Sequence, residues 1–108
     1  MKYFLLLLFT INTCYAATAS WYGNQFHGRK TASGKVFNQY AMTTASNSHK
    51  MGTKLLVTNI ANNKSVIVEV TDTGGFSKYG RTLDLSKGAF MKIADIKQGV
   101  IQVKVKQL

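Results

Sequence analysis

The sequence predicts a mostly-β domain, a small closed barrel carrying one short helix. Three observations lead there. Lys54 to Ala61 and Lys64 to Thr71 are two Val/Leu/Ile/Thr-rich runs with only Asn62-Asn63 between them, which reads as a β-hairpin. Val100 to Val105 alternates Val/Ile with polar residues and reads as a last strand after Gly99. Elsewhere the apolar runs are short, proline is absent, and nine glycines punctuate the chain. Many short strands are best served by closure, which removes exposed edges.

Each element has its own signal. Met1-Lys2 is a short positive start, Tyr3 to Ile11 is apolar, and Cys14-Tyr15-Ala16 supplies small residues of the kind a signal peptidase reads. The apolar run is shorter than the roughly 20 residues of a permanent span. Residues 1–16 are therefore expected to be a signal peptide, and 17–108 one domain. Ala17 to Tyr22 reads as a strand and residues 23 to 40 as a long polar loop. Ala41 to Ala45 reads as a short strand. In the second hairpin strand Val66, Val68 and Val70 share a face, and Asp72 comes next at the same parity, which predicts a carboxylate at a barrel rim. Ser86 is a good N-cap, Leu85 can pack on Phe90, and Phe90, Ile93 and Ala94 share a helical face.

The chain of 108 residues carries 14 Lys+Arg against 4 Asp+Glu, a formal charge of +10. Such a surface suits polyanions; expected export makes nucleic acid the weakest of them as partner, behind acidic lipid and acidic wall polymer, and no nucleic-acid partner is expected. The single cysteine, Cys14, leaves no disulfide framework for the domain. Ile11 to Cys14 loosely resembles a lipobox, making Cys14 a lipidation candidate, although Thr13 fits that motif poorly. The two histidines, His27 and His49, stand far apart in sequence with no cysteine beside them, so no metal or other cofactor is expected.

Any acid/base chemistry must draw on Glu69, Asp72, Asp84, Asp95 or the histidines. Asp72 ends a strand and runs into a glycine turn, which makes it the functional candidate. Asp84 lies between Leu83 and Leu85 and reads as structural by spacing. Glu69 and Asp95 read as solvated. Trp21, Tyr22, Phe26, Phe37, Tyr40, Phe76 and Tyr79 gather around the glycine-bearing loops, where aromatic faces either hold sugar rings or form the core.

Ala19-Ser20-Trp21-Tyr22-Gly23, Phe26 to Gly34, Gly52 to Asn59, Val70-Thr71-Asp72 and Leu83 to Ser86 together resemble the rare lipoprotein A (RlpA) family, in order and at family spacing. Val70 to Val105 also resembles the first domain of bacterial expansins. The resemblance implies a six-stranded double-psi β-barrel, an exported protein of the periplasm, cell envelope or medium, and peptidoglycan glycan strands as ligand. It implies a monomer without a transmembrane anchor, with an outer-membrane lipoprotein as the lesser alternative. It further implies a lytic transglycosylase with Asp72 and Asp84 as the catalytic pair. Trp21, Tyr22, His27, Thr31, Phe76, Tyr79 and Arg81 are then expected to contact the glycan. Three departures stand out. Lys35 occupies the family's glutamate position, Ser46 its histidine, and Thr73-Gly74-Gly75 its Arg-Gly-Pro. They keep open a non-catalytic, expansin-like wall-binding module, with a basic effector of some other polyanion behind it.

Overall fold

The computed structural model describes residues 14–74 and 82–108. Among them six strands close into a barrel: β1 (Cys14–Tyr22), β2 (Thr43–Ser46), β3 (Lys54–Asn59), β4 (Ser65–Asp72), β5 (Leu83–Ser86) and β6 (Ile101–Gln107). Around the barrel the order is β1-β5-β2-β4-β3-β6. β1 runs parallel to β5 and β2 parallel to β4, while the other neighbours are antiparallel. This is the small mostly-β barrel with one helix that the sequence predicts.

Alternation decides which side chains fill it. Leu55 and Val57, Val68 and Val70, Leu83 and Leu85, and Val103 and Val105 are all fully buried, each pair two residues apart on its strand. Helix α1 (Lys87–Ile93) places Phe90 and Ile93 on this core. Seven residues are too few for an isolated helix, so packing and capping hold it. Ser86 Oγ accepts from Ala89 N at 3.1 Å and donates to Ala41 O at 2.6 Å.

The hairpin departs from its expected two-residue turn. Its strands end at Asn59 and restart at Ser65, and only Asn63 takes a positive φ, 62°. The cause is the two asparagines. Asn59 Nδ2 and Asn62 Nδ2 both donate to Ile93 O, at 2.7 and 3.0 Å. The turn is thus folded back to satisfy the orphan carbonyl at the end of α1. β5 has no strand signal of its own in the sequence, because four residues with two leucines carry too little periodicity to separate strand from loop. β1 also starts earlier than expected, since Cys14, Tyr15 and Ala16 pair with Lys106, Val105 and Lys104.

Residues 23–42 form a layer laid over the barrel. Gly28 N donates to Phe37 O at 2.9 Å and Phe37 N to Arg29 O at 2.7 Å, which makes a small hairpin-like fold. Its tip turns at Gly34, whose φ of +89° is open to glycine and strained for other residues. The tip is tied to the end of β4 by Ser33 N donating to Thr71 O at 3.0 Å. No helix among the described residues is long and apolar enough to cross a membrane.

Candidate active site

The site forms where the layer meets the ends of β1, β4 and β5. A β-bulge prepares it: Thr44 pairs with Val70 but Ala45 pairs with Asp72, so Thr71 is left out of the register. A bulge turns the strand locally and re-aims the next side chain, which here belongs to Asp72. One oxygen of the Asp72 carboxylate accepts from Ala32 N at 3.0 Å and from Thr73 N at 2.9 Å. The other accepts from the Tyr22 hydroxyl at 3.4 Å. Two backbone donors therefore fix the group's orientation, while the Lys35 ammonium pairs with Glu69.

Tyr22 is the hub. Its ring stacks on Phe37 at 4.4 Å and 15°, and meets the edge of Phe26 at 5.7 Å. Burial first, then the negative charges of Asp72 and Asp84, push its hydroxyl well above the ordinary tyrosine range. It therefore stays protonated and remains a donor to Asp72. Asp84 lies on β5 and accepts from Ser20 Oγ at 2.7 Å, as the register pairing of Ser20 with Asp84 allows. Tyr22 thus feels both carboxylates, which lie on the strands either side of β2, each the register partner of Ala45.

The exit of β4 is clamped as well. Asn47 Nδ2 donates to Gly74 O at 2.7 Å, and Asn47 Oδ1 accepts from Gly74 N at 3.2 Å.

The other expected site residues fall into three groups. Thr31 is in the layer's tip, buried, with its hydroxyl donating to Lys35 O at 2.8 Å. It positions the segment that holds Asp72. Trp21 points the other way from Tyr22: its indole donates to Ile96 O at 3.2 Å and its ring packs on Phe90 at 6.4 Å. Alternation along β1 sends it to the helix, so the structure does not bring it to Asp72. His27 Nδ1 accepts from Gln39 N at 3.1 Å, and its ring meets Tyr40, which pins the layer rather than facing Asp72. Phe76, Tyr79 and Arg81 lie outside the described residues. Cys14 is exposed at the start of β1.

The departures are also placed. Ser46 is fully buried in the barrel wall, and His49 bonds to Tyr15 Oη at 2.7 Å and Gln107 Oε1 at 3.1 Å. Lys35 Nζ pairs with Glu69 Oε2 at 3.0 Å. Glu69 is therefore not simply solvated, as expected, but half-buried in an ion pair. Asp95, expected as plain surface, caps a 3-10 turn (Ile96–Gln98) in a capping box with Gln98. Sequence reading missed the backbone donors Ala32 and Thr73, Ser20, and the Asn47 clamp. Backbone N–H groups leave no side-chain signal, though Ala32 lies inside the Phe26 to Gly34 motif.

A small double-psi β-barrel with the Asp72 and Asp84 carboxylates on the two strands that flank β2 is the class of protein that fold and site define. A family model described as lytic transglycolase matches residues 15–105, and the chain belongs to that family, in its RlpA branch. It is 49% identical over 90 residues to an RlpA protein of Aquifex aeolicus, covering 83% of this chain and 39% of the relative. It is 47% identical over 87 residues to the endolytic peptidoglycan transglycosylase RlpA of Campylobacter jejuni, covering 81% and 31%. The chain therefore spans between 31% and 39% of the length of these two relatives. Among solved structures, a Streptomyces papain inhibitor is similar at a TM-score of 0.72 and 20% identity, over 89% of this chain and 94% of that one. A point mutant of a Clavibacter michiganensis expansin in complex with cellohexaose is similar at a TM-score of 0.68 and 23% identity, over 89% and 50%. At these identities the two structures speak for the fold alone.

Proposed function

We propose that this domain cleaves bare peptidoglycan glycan strands as an endolytic lytic transglycosylase, with Asp72 as the general acid and then the general base. The observation that carries the reading is the Asp72 carboxylate, held by two backbone N–H groups and the Tyr22 hydroxyl at the barrel rim. The activity for which the relatives are named supports the same reaction. Asp72 in its acid form protonates the glycosidic oxygen leaving the muramyl anomeric carbon. The muramyl sugar's own 6-hydroxyl attacks that carbon, and its proton passes to Asp72. The C1–O bond to the leaving sugar breaks, a C1–O6 bond forms, and the proton count is restored. Because the nucleophile belongs to the substrate, no second carboxylate is needed to activate water, unlike an ordinary glycosidase pair. Asp84, held by Ser20, shares the field at Tyr22 and helps fix the site. Thr31 and Tyr22 position Asp72, while Phe76, Tyr79 and Arg81 are proposed to contact the strand on the family motif.

The test is incubation with amidase-treated sacculi and mass spectrometry of the soluble products. Wild type should release 1,6-anhydro-muramyl fragments. A second reading, a binding module without turnover, is favoured by one observation: the family's glutamate position holds Lys35, and that lysine is paired with Glu69. Under it, wild type binds sacculi and releases nothing.

We further propose export, cleavage after Ala16, action in the envelope or medium as a monomer, and no cofactor. Cleavage there shortens β1 to Ala17–Tyr22 and removes the β1 partners of Lys104–Lys106, whose pairing with β3 remains. A chain lipidated at Cys14 would keep them. Intact-mass measurement of envelope material should give a chain beginning at Ala17. A diacylglyceryl adduct on Cys14 would select the lipoprotein instead, and a mass including Met1 would refute processing.

A further inference from the structure

The connection between β2 and β3, residues 47–53, takes no part in the catalytic steps above, yet it is bonded to β4 on both sides of Asp72. At its far end Gly52 N donates to Val70 O at 2.8 Å, and Val70 N donates to Thr53 O at 2.9 Å. At its near end Asn47 Nδ2 donates to Gly74 O at 2.7 Å, and Asn47 Oδ1 accepts from Gly74 N at 3.2 Å. One side-chain amide thus meets both backbone groups of one residue. Those are the two bonds that a hydrogen-bonded partner on an antiparallel strand would exchange. β2 itself stops short of this point: its ladder with β4 ends at Ala45 and Asp72, and its last residue is Ser46. The Asn47 amide therefore takes over where backbone pairing stops. Its own place is set by a turn, in which Ser46 Oγ accepts from Ser48 N at 3.2 Å.

We propose that Asn47 is a positioning residue for the reaction, holding Gly74 so that the Thr73 N–H stays aimed at the Asp72 carboxylate. This role rests on the reading of Asp72 as the general acid and base. Thr73 lies between the last ladder pair and the clamped glycine, and its N–H is one of the two backbone donors on Asp72, at 2.9 Å. With Asp72 held by the ladder on one side and Gly74 by the amide on the other, that donor has little freedom to swing away. The second donor, Ala32 N, comes from the layer, so the Asn47 clamp is what keeps the barrel's own donor in place. The amide suits the task because it gives and accepts a hydrogen bond without carrying charge. An aspartate would lose the donor, turn an oxygen toward Gly74 O, and add a negative charge near the reacting carboxylate.

The test digests amidase-treated sacculi with the full chain over a range of sacculus concentrations, and follows amide exchange by NMR beside it. Asn47→Ala should lower kcat about tenfold, short of the roughly 10²-fold that a 1 Å misplacement can cost. KM should stay within about twofold, because the group that is misaimed acts in the transition state and not in binding. Thr73 and Gly74 amides should exchange at least about threefold faster while Val66 and Val68 stay protected. Asn47→Asp removes only the donor to Gly74 O and should show the same split, slower turnover at an unchanged KM. A merely structural role would instead lower activity in step with the folded fraction, with kcat per folded molecule unchanged. Wild-type kcat in both variants, a loss confined to KM, or unchanged exchange at Thr73 would each overturn the assignment. The parent reading fails separately, by a wild type that releases no anhydro product. The hold on Thr73 is then read from exchange alone, and an unchanged rate in Asn47→Ala sinks it as well.

Discussion

The barrel wall and the layer over it are held by different physics. In the wall, strand pairing satisfies the backbone, and alternation buries Val, Leu and Ile along β3, β4, β5 and β6, so a local rule specifies most of it. In the layer of residues 23–42 no such rule operates. Phe37 is buried to 3% exposure yet stands outside the barrel core, stacked on Tyr22. A buried Thr31, a glycine turn and a few backbone bonds do the rest. The proposed chemistry lies at the seam, where the wall supplies the carboxylates of Asp72 and Asp84 and the layer supplies the N–H that aims the first. A rigid wall with an independently held layer is a way to fix a charge while leaving its surroundings free to vary.

The strongest separation of the two is Asp72→Asn. Asparagine keeps an oxygen that can accept from Ala32 and Thr73, so wall and layer should both hold. It loses the titrating proton, and release of anhydro products should fall by about 10²–10⁴-fold, the usual contribution of a general acid. Thermal midpoint and sacculus binding should stay near wild type. Product release at the wild-type rate would remove Asp72 from the reaction.

A matched pair of phenylalanines asks whether wall and layer unfold together. Phe90→Ala opens the core itself and should cost about 3–5 kcal/mol of global stability. Phe37→Ala should cost less globally and loosen the layer, so that amide exchange quickens at Gly28, Ala32 and Phe37 while β3, β4 and β6 stay protected. Uniform acceleration across both regions would mean a single cooperative unit and would break the comparison.

The difference also explains what was legible in advance. Val66, Val68 and Val70, the last strand and the Ser86 cap were readable because periodicity and capping are local properties. Asp72 at a rim came from parity, and the family motifs added Asp84. The two-residue hairpin turn was misread because Asn59 and Asn62 answer a distant carbonyl on α1, which no local rule contains. The bulge at Thr71, the Lys35–Glu69 pair and the divergence of Trp21 from Tyr22 likewise depend on which strands become neighbours.

Gly88 probes the seam from the helix side. Its N–H donates to Gln39 O at 2.7 Å, and a Cβ there would stand 2.7 Å from Tyr40 O. Gly→Ala ordinarily favours a helix by about 1 kcal/mol, but overpacking against backbone costs roughly 1–3 kcal/mol. Clash should win, and Gly88→Ala should lower stability by about 1 kcal/mol in denaturant titration. A stabilised variant would show that the layer shifts off the helix at little cost.

The smallest effect concerns Lys35 and Glu69, the pair that joins the layer's tip to β4. The lysine side chain is 64% exposed and the glutamate 28%, so solvent screens their attraction. Coupling from a double-mutant cycle should be about 0.2–1 kcal/mol, as for other exposed pairs. The geometry nevertheless changes what a reversion would do. Lys35→Glu returns the family's residue, but it sets a second carboxylate against Glu69. The single variant should therefore loosen the tip and reduce any activity rather than restore it. Lys35→Glu with Glu69→Lys recreates the pair with its charges exchanged, and should recover both stability and product release relative to Lys35→Glu alone. Full activity in the single variant would show that the layer's tip tolerates like charges at the seam, and that the glutamate acts by itself.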